Sequence, residues 1–332
     1  MMYDAFSYNE QCRNMVLNEQ EFLITEVGTT DEDKIRLGVN CNGFGRIRLF
    51  ERNKDTDWIS NPLPFNPYAV VMGGGKVDKL AVQVFQIAKC NLNCWWCFLP
   101  DKYKNCSIRH TKWFTVDDLL DLYYYETKGR VKVIDISGGN PELVPEFILQ
   151  FMNGIEKRNL TNEIYLWSDD VLTTDFMFTK LKKSQVQFMS EYKNYGKVAC
   201  FKGIDEESFR FNTCSTLSDF NTQLIMTKKY IDAGFDIYFY LVLTVPDMNN
   251  IRSKISAFFD KLQQISYYLP LRIVPIKIKK YTNNEQRIDS FRELSISNQF
   301  EVLSVWREEI SKRYSSFEIE RDIALQPLKH KK

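Results

Sequence analysis

From Ala81 to Tyr281 the chain alternates short apolar runs with longer amphipathic stretches, and this rhythm restricts the fold more than any other feature of its 332 residues. A strand buried on both faces reads as an unbroken apolar run, whereas a helix lying on a sheet carries apolar residues at three- and four-residue spacing. By that rule strands are predicted at residues 81–87, 131–136, 163–167, 197–202, 236–245 and 271–278. Helices are predicted at 116–126 behind a Thr115 cap, and at 144–157, 175–183, 217–233 and 249–265. Strands alternating with helices make an α/β fold with a parallel sheet. Six such repeats fit an open or partial (β/α)6 barrel, since a complete eightfold barrel takes roughly 250 residues and two more strands.

The flanks do not share the rhythm. Residues 1–79 are assigned to an N-terminal accessory layer, with a surface loop at the Asn-, Asp- and Pro-rich stretch 52–67. Residues 80–281 form the partial barrel. Residues 282–332 form a C-terminal extension, polar at 282–287 and then helical over 298–314.

Composition excludes several functions. Lys and Arg number 44 against 43 Asp and Glu, so neither nucleic acid nor an anionic membrane is an expected partner. The basic runs at Lys277, Lys279 and Lys280 and at Lys329 to Lys332 are read as solvated ends. The longest apolar run, Ile237 to Leu243, falls far short of the ~20 residues of a membrane span. The first 14 residues lack the basic start and apolar core of an export signal, so a cytoplasmic location is expected. With two histidines, His110 and His330, a multi-histidine metal site is excluded. Eight cysteines in such a chain point to reduced thiols or metal ligands rather than disulfides.

Three of the eight, Cys90, Cys94 and Cys97, form C-x3-C-x2-C directly after the first predicted strand of the repeat. A strand's C-terminal end is where barrel-type sheets place their chemistry. Three thiolates hold three corners of a [4Fe-4S] cluster and leave the fourth iron open to a small ligand, whereas electron-transfer clusters usually take four cysteines. The alternative is a zinc knuckle closed by Cys106 or His110, in a non-enzymatic zinc or iron-sulfur binding module that acts as a partner scaffold.

This motif, with Trp96 in the aromatic position before the third cysteine, resembles that of the radical SAM superfamily, and the resemblance extends over roughly residues 81–280. It implies that the open iron is chelated by S-adenosylmethionine (SAM). One electron from the cluster then cleaves SAM to methionine and a 5′-deoxyadenosyl radical that abstracts hydrogen from a substrate. A reductant such as flavodoxin or ferredoxin is implied, together with a peptide, protein or small-molecule substrate.

Further segments are similar to those of the superfamily, and of its glycyl-radical activating enzymes in particular. Gly138 and Gly139, at the end of the second strand, resemble the Gly-Gly-Glu-Pro segment at the methionine amino group. Asn140 stands where Glu is usual, so a carboxylate contact falls to Glu142 or is lost. Ser168 and Asp169 end the third strand, where the resemblance implies a ribose contact, while helix capping is the competing use. Lys202 keeps the cation of the activating enzymes' Asp-Leu-Lys segment, with Cys200 in place of the acid. Val245, flanked by Thr244 and Pro246, is similar to a turn beside the adenosine. Cys106, Cys200 and Cys214 are too scattered to hold an auxiliary cluster, so a single cluster is expected.

Overall fold

The computed structural model describes residues 4–26, 38–52 and 57–328. The basic tail from Lys329, with His330, and residues 53–56 of the polar stretch lie outside the described residues. In chain order the elements begin α1 (Ala5–Asn14), β1 (Leu17–Asn18), β2 (Glu21–Thr25), β3 (Val39–Asn40), β4 (Gly45–Glu51) and α2 (Phe65–Met72). Next come β5 (Lys79–Phe85), β6 (Thr111–Phe114), α3 (Val116–Thr127), β7 (Val133–Ile136), α4 (Pro145–Lys157) and β8 (Tyr165–Asp170). They continue through α5 (Phe176–Thr179), α6 (Lys183–Glu191), β9 (Tyr195–Phe201), α7 (Glu206–Thr213), α8 (Phe220–Ala233) and β10 (Ile237–Val242). The last are α9 (Ile251–Ile265), β11 (Ile273–Ile276), α10 (Ser290–Arg313) and α11 (Ser316–Glu320).

All six predicted strands are present and form one sheet in the order β11-β10-β9-β8-β7-β5-β4-β3. The pairs from β5 through β11 are parallel, as helical crossovers require. The fold is therefore α/β. The N-terminal region is less separate than its sequence predicts, because β4 runs antiparallel along β5 and β3 along β4, adding two strands to the sheet. The rest of that region supplies β1 and β2, which with β6 make a small second sheet.

Two helix predictions change. Residues 175–183 split into α5 and the start of α6, because Lys182 takes an extended conformation (φ −69°, ψ 150°) at the N-cap of α6. The C-terminal helix begins at Ser290, eight residues before the predicted start, behind an Asp289 cap that accepts from the Arg292 amide. The Thr115 cap of α3 is present as a reciprocal capping box with Asp118.

Side chains alternate across the sheet. Ile134, Ile136, Leu166, Ala199, Phe201 and Phe239 face the helices in the main core. Val82, Val133, Tyr165, Trp167, Val198 and Tyr238 face the opposite way, where Leu63, Phe65 and Ile323 cover them. On that face Trp167 stacks on Tyr238 with centroids 5.8 Å apart. Gly196 makes this filling possible: a Cβ there would collide with the Tyr165 hydroxyl and come within 2.6 Å of the Trp167 ring. The indole N–H of Trp58, from beyond the sheet, donates to the Pro275 carbonyl at 2.9 Å. Above this aromatic layer, toward the C-terminal ends of the strands, the same face turns polar with Asp135, Asp169 and Cys200.

Candidate metal centre

The cysteine loop leaves β5 and is tied down from several directions. The Ala88 amide donates to Leu23 O of β2 at 3.0 Å and the Cys90 amide to Lys104 O at 3.1 Å. The Asn140 amide reaches Lys89 O at 2.7 Å and the Asn93 amide reaches Thr213 O at 3.2 Å. A tight turn joins the Cys97 amide to Cys94 O. The far end is clasped by a segment distant in sequence. Asn284 donates to Trp96 O at 3.0 Å, and the Arg287 guanidinium donates to the carbonyls of Cys94, Cys97 and Leu99.

So held, Cys90, Cys94 and Cys97 line one wall of a cavity of about 350 Å³. Cys94 is buried and the other two are partly buried. Burial pushes the Cys94 thiol up to about 12, with the Lys202 ammonium pulling the other way. Burial also raises Cys90 and Cys200, and Lys202 again opposes. For Lys202 itself, burial lowers the ammonium, but Cys200, Cys94 and Cys90 outweigh it and hold the group above the usual lysine range. Its Nζ stands 4.9 Å from the Trp96 ring centroid, a cation over an aromatic face.

These residues fit an iron-sulfur cluster. Three soft donors sit on one short loop, open to one cavity and beside a cation that favours thiolates. Among the described residues no three His, Cys, Asp or Glu side chains converge closely enough for a single metal ion. A cluster does not require such convergence, since its cysteines bind separate irons. The partners named for a zinc knuckle are placed elsewhere: Cys106 Sγ lies 3.5 Å from Ala88 O, His110 Nδ1 lies 3.0 Å from a Glu26 carboxylate oxygen, and neither lines the cavity.

The other sequence candidates divide into two groups. Trp96, Gly138, Gly139, Asp169 and Lys202 all line the cavity. Asp169 accepts from the Ser137 hydroxyl at 2.6 Å, and burial raises its carboxyl. The two glycines are positively twisted (φ +91° and +66°), but the space a Cβ would take belongs to the protein itself. At Gly138 it would meet the Gln86 side chain at 2.5 Å, and at Gly139 it would strike the carbonyls of Ile87 and Lys89.

Asn140, Ser168 and Val245 are not on the cavity wall. Asn140 is fully buried behind the cysteine loop, where its amide donates to Asn91 at 2.8 Å and its oxygen accepts from the Glu142 amide. Ser168 bonds the Tyr195 hydroxyl at 2.7 Å on the helix-facing side of β8. Val245 packs in the main core, and its carbonyl accepts from Ser295 at 2.7 Å. Glu142 is likewise withdrawn: it is 1% exposed and paired with Lys197.

Several wall residues carry no local signature in the sequence. Arg48 of β4, Asn61 and Tyr240 of β10 line the same cavity, with Asn61 donating to the Tyr240 hydroxyl at 3.1 Å. They come from the N-terminal strands, a loop and the fifth parallel strand, so only the folded sheet assembles them.

No protein-family model matches the chain, and no curated protein matches it. Solved structures are similar to it. Streptococcus suis SuiB bound to S-adenosylmethionine aligns over 71% of this chain and 48% of its own, at 15% identity and a TM-score of 0.49. The anSMEcpe structure with bound AdoMet aligns over 68% and 57%, at 16% identity and a TM-score of 0.44. TsrM of Kitasatospora setae, a radical S-adenosylmethionine methyltransferase, aligns over 55% and 34%, at 11% identity and a TM-score of 0.40. The chain spans less than two thirds of the length of each.

Proposed function

We propose that this chain is a radical SAM enzyme in which Cys90, Cys94 and Cys97 hold one [4Fe-4S] cluster and SAM occupies the adjoining cavity. The observation that carries the reading is the joint placement of three thiols, two left-handed glycines and a buried lysine around one cavity at the C-terminal ends of parallel strands. When bound, the two groups supply reductive cleavage of the SAM sulfonium and hydrogen abstraction from a substrate.

The protein's part is positioning and exclusion of water. Gly138 and Gly139 hold the backbone edge beside the thiols. Lys202 attracts a carboxylate, and the Trp96 ring walls the cluster side. Asp169 accepts from a hydroxyl. Arg48, Asn61 and Tyr240 face the space left for the substrate, whose class we leave as a peptide, a protein or a small molecule. In this reading the sheet is a partial (β/α)6 barrel, and flavodoxin or ferredoxin supplies the electron. Cys106, Cys200 and Cys214 lie apart, beside Ala88, on the cavity wall and at the exposed end of α7, which supports a single cluster.

Anaerobic reconstitution followed by incubation with SAM and dithionite tests the reading. The expected result is a brown protein with about four irons per chain that forms 5′-deoxyadenosine. Cys90→Ala, Cys94→Ala and Cys97→Ala should each lose both properties, while Cys12→Ala and Cys41→Ala keep them. A colourless protein that binds zinc and leaves SAM intact overturns the proposal.

A further inference from the structure

Arg287 belongs to the C-terminal extension, outside every motif that points to the metal centre, yet its guanidinium donates to three carbonyls of the cysteine loop. Nη1 donates to Cys94 O at 3.4 Å, and Nη2 donates to the Cys97 carbonyl and to Leu99 O at 3.4 Å. The side chain is 21% exposed, and its one carboxylate neighbour among the described residues is Asp101, at 3.8 Å. Asp101 is itself 61% exposed and shared with Lys104 at 3.0 Å.

The arginine is held in turn. Arg292, on the first turn of α10, donates to the Arg287 carbonyl at 2.7 Å and stacks over Trp95 of the same cysteine loop, 5.8 Å from its ring centroid. Asn284, fully buried, donates to Trp96 O and accepts from the Tyr281 amide at 2.8 Å. Residues 281–292 therefore form a strap across the loop, with the Arg287 charge against the carbonyls of two candidate cluster ligands.

We infer that Arg287 is a positioning residue for the cluster: it locks the cysteine loop, and its charge raises the cluster's reduction potential. The inference rests on the reading of Cys90, Cys94 and Cys97 as cluster ligands. Reduction adds a negative charge to the cluster, and a nearby cation favours the more negative form. A guanidinium gives both effects because its planar fork spans several carbonyls and it stays charged at every accessible pH.

The test uses the reconstituted full chain, with the midpoint read by redox titration of the cluster's EPR signal and the grip on iron read as the rate of its loss to a chelator. Arg287→Gln should shift the midpoint to more negative values, lowering the reduced-to-oxidised ratio at a fixed poise by roughly tenfold, and should release iron faster. Arg287→Lys should keep a midpoint near the native one while releasing iron faster, which separates charge from the fork. Asp101→Asn, at a side chain 61% exposed, should move the midpoint the opposite way. A purely structural arginine predicts no such opposed pair. Native midpoint and iron release in Arg287→Gln overturn the inference and leave the cluster assignment standing. If Arg287→Gln does not fold, an unchanged midpoint in Asp101→Asn overturns it instead. Failure of the native chain to assemble any cluster overturns the assignment, and the inference with it.

Discussion

Lys197 of β9 and Glu142, three residues past the Gly138–Gly139 turn, form an ion pair from which solvent is excluded on both sides, at 0% and 1% side-chain exposure. Asp170 approaches the same ammonium at 3.4 Å, and the Tyr230 hydroxyl donates to Glu142 at 2.9 Å. Burial pushes Glu142 up to about 7, with Lys197 opposing, while for Lys197 the nearby carboxylates outweigh burial and hold the ammonium well above the lysine range. This network lies just behind the cavity and ties the turn to the sheet.

Removing the lysine leaves two buried carboxylates without a counter-charge. Lys197→Met should lose about 3–5 kcal/mol at pH 7, measured by urea denaturation. Acids whose folded values are raised lose stability as pH rises above their unfolded values, so the deficit should shrink as pH falls toward the ordinary glutamate value of 4.5. A deficit that does not change between pH 7 and pH 5 contradicts this account.

Asp135 offers the converse case. Its carboxyl is buried on the polar tier of the sheet, one oxygen has no hydrogen-bond partner, and burial together with Asp169 raises it well above 3.8. In such a group both states are protonated at low pH, and stability is lost as pH rises because only the unfolded chain ionises freely. Asp135→Asn should therefore be the more stable protein at pH 7, by on the order of 1–2 kcal/mol. The advantage should disappear below pH 3.8. Thermal melts at several pH values decide it, and a variant less stable than native at pH 7 refutes it.

At Gly139 the clash is with the carbonyls of Ile87 and Lys89, immediately before the first cysteine. Gly139→Ala should thus displace the cysteine loop and lose iron as well as SAM binding, in addition to the strain of a positive φ. Iron content after reconstitution is the measurement. Retention of a full cluster with loss of SAM affinity alone would show that the glycine serves the ligand rather than the loop.

Lys202 provides a buried cation on the wall of the cavity that the three cysteines line. Lys202→Met should retain iron but bind SAM at least tenfold more weakly, the loss of one charge-assisted hydrogen bond, as read by calorimetry on reconstituted protein. Lys277→Gln is the control, because that lysine lines the same cavity but is paired with Asp57 at 2.6 Å. Equal effects of the two substitutions would argue for general charge rather than a specific contact.

The sequence made the repeating strands legible because β5 and β7 to β11 are buried on both faces and so read as apolar runs. It hid the start of α10 for a physical reason. In its first turns Phe291 and Leu294 are exposed while the polar Ser295 is buried and donates to Val245 O. An apolar period therefore cannot reveal it. Within the site, Cys90, Cys94 and Cys97 were legible because one short loop carries all three. Ser168 and Asp169 were not separable, because adjacent strand residues point to opposite faces and only the register shows which one meets the cavity. Arg48, Tyr240, Asn284 and Arg287 left no trace, since each reaches the site through the fold and belongs to no contiguous pattern.

The strap over the cysteine loop also bears on how the protein is made. Arg287 and Cys97 are 190 positions apart, and Asn284 and Trp96 are 188 apart. During synthesis the ribosome therefore releases the loop long before its clasp exists, so Cys90, Cys94 and Cys97 emerge on a nascent chain in which that part of their support is still missing. In the proposed reading, metal delivered after translation meets the clasped loop, whereas metal delivered earlier meets one still without that support.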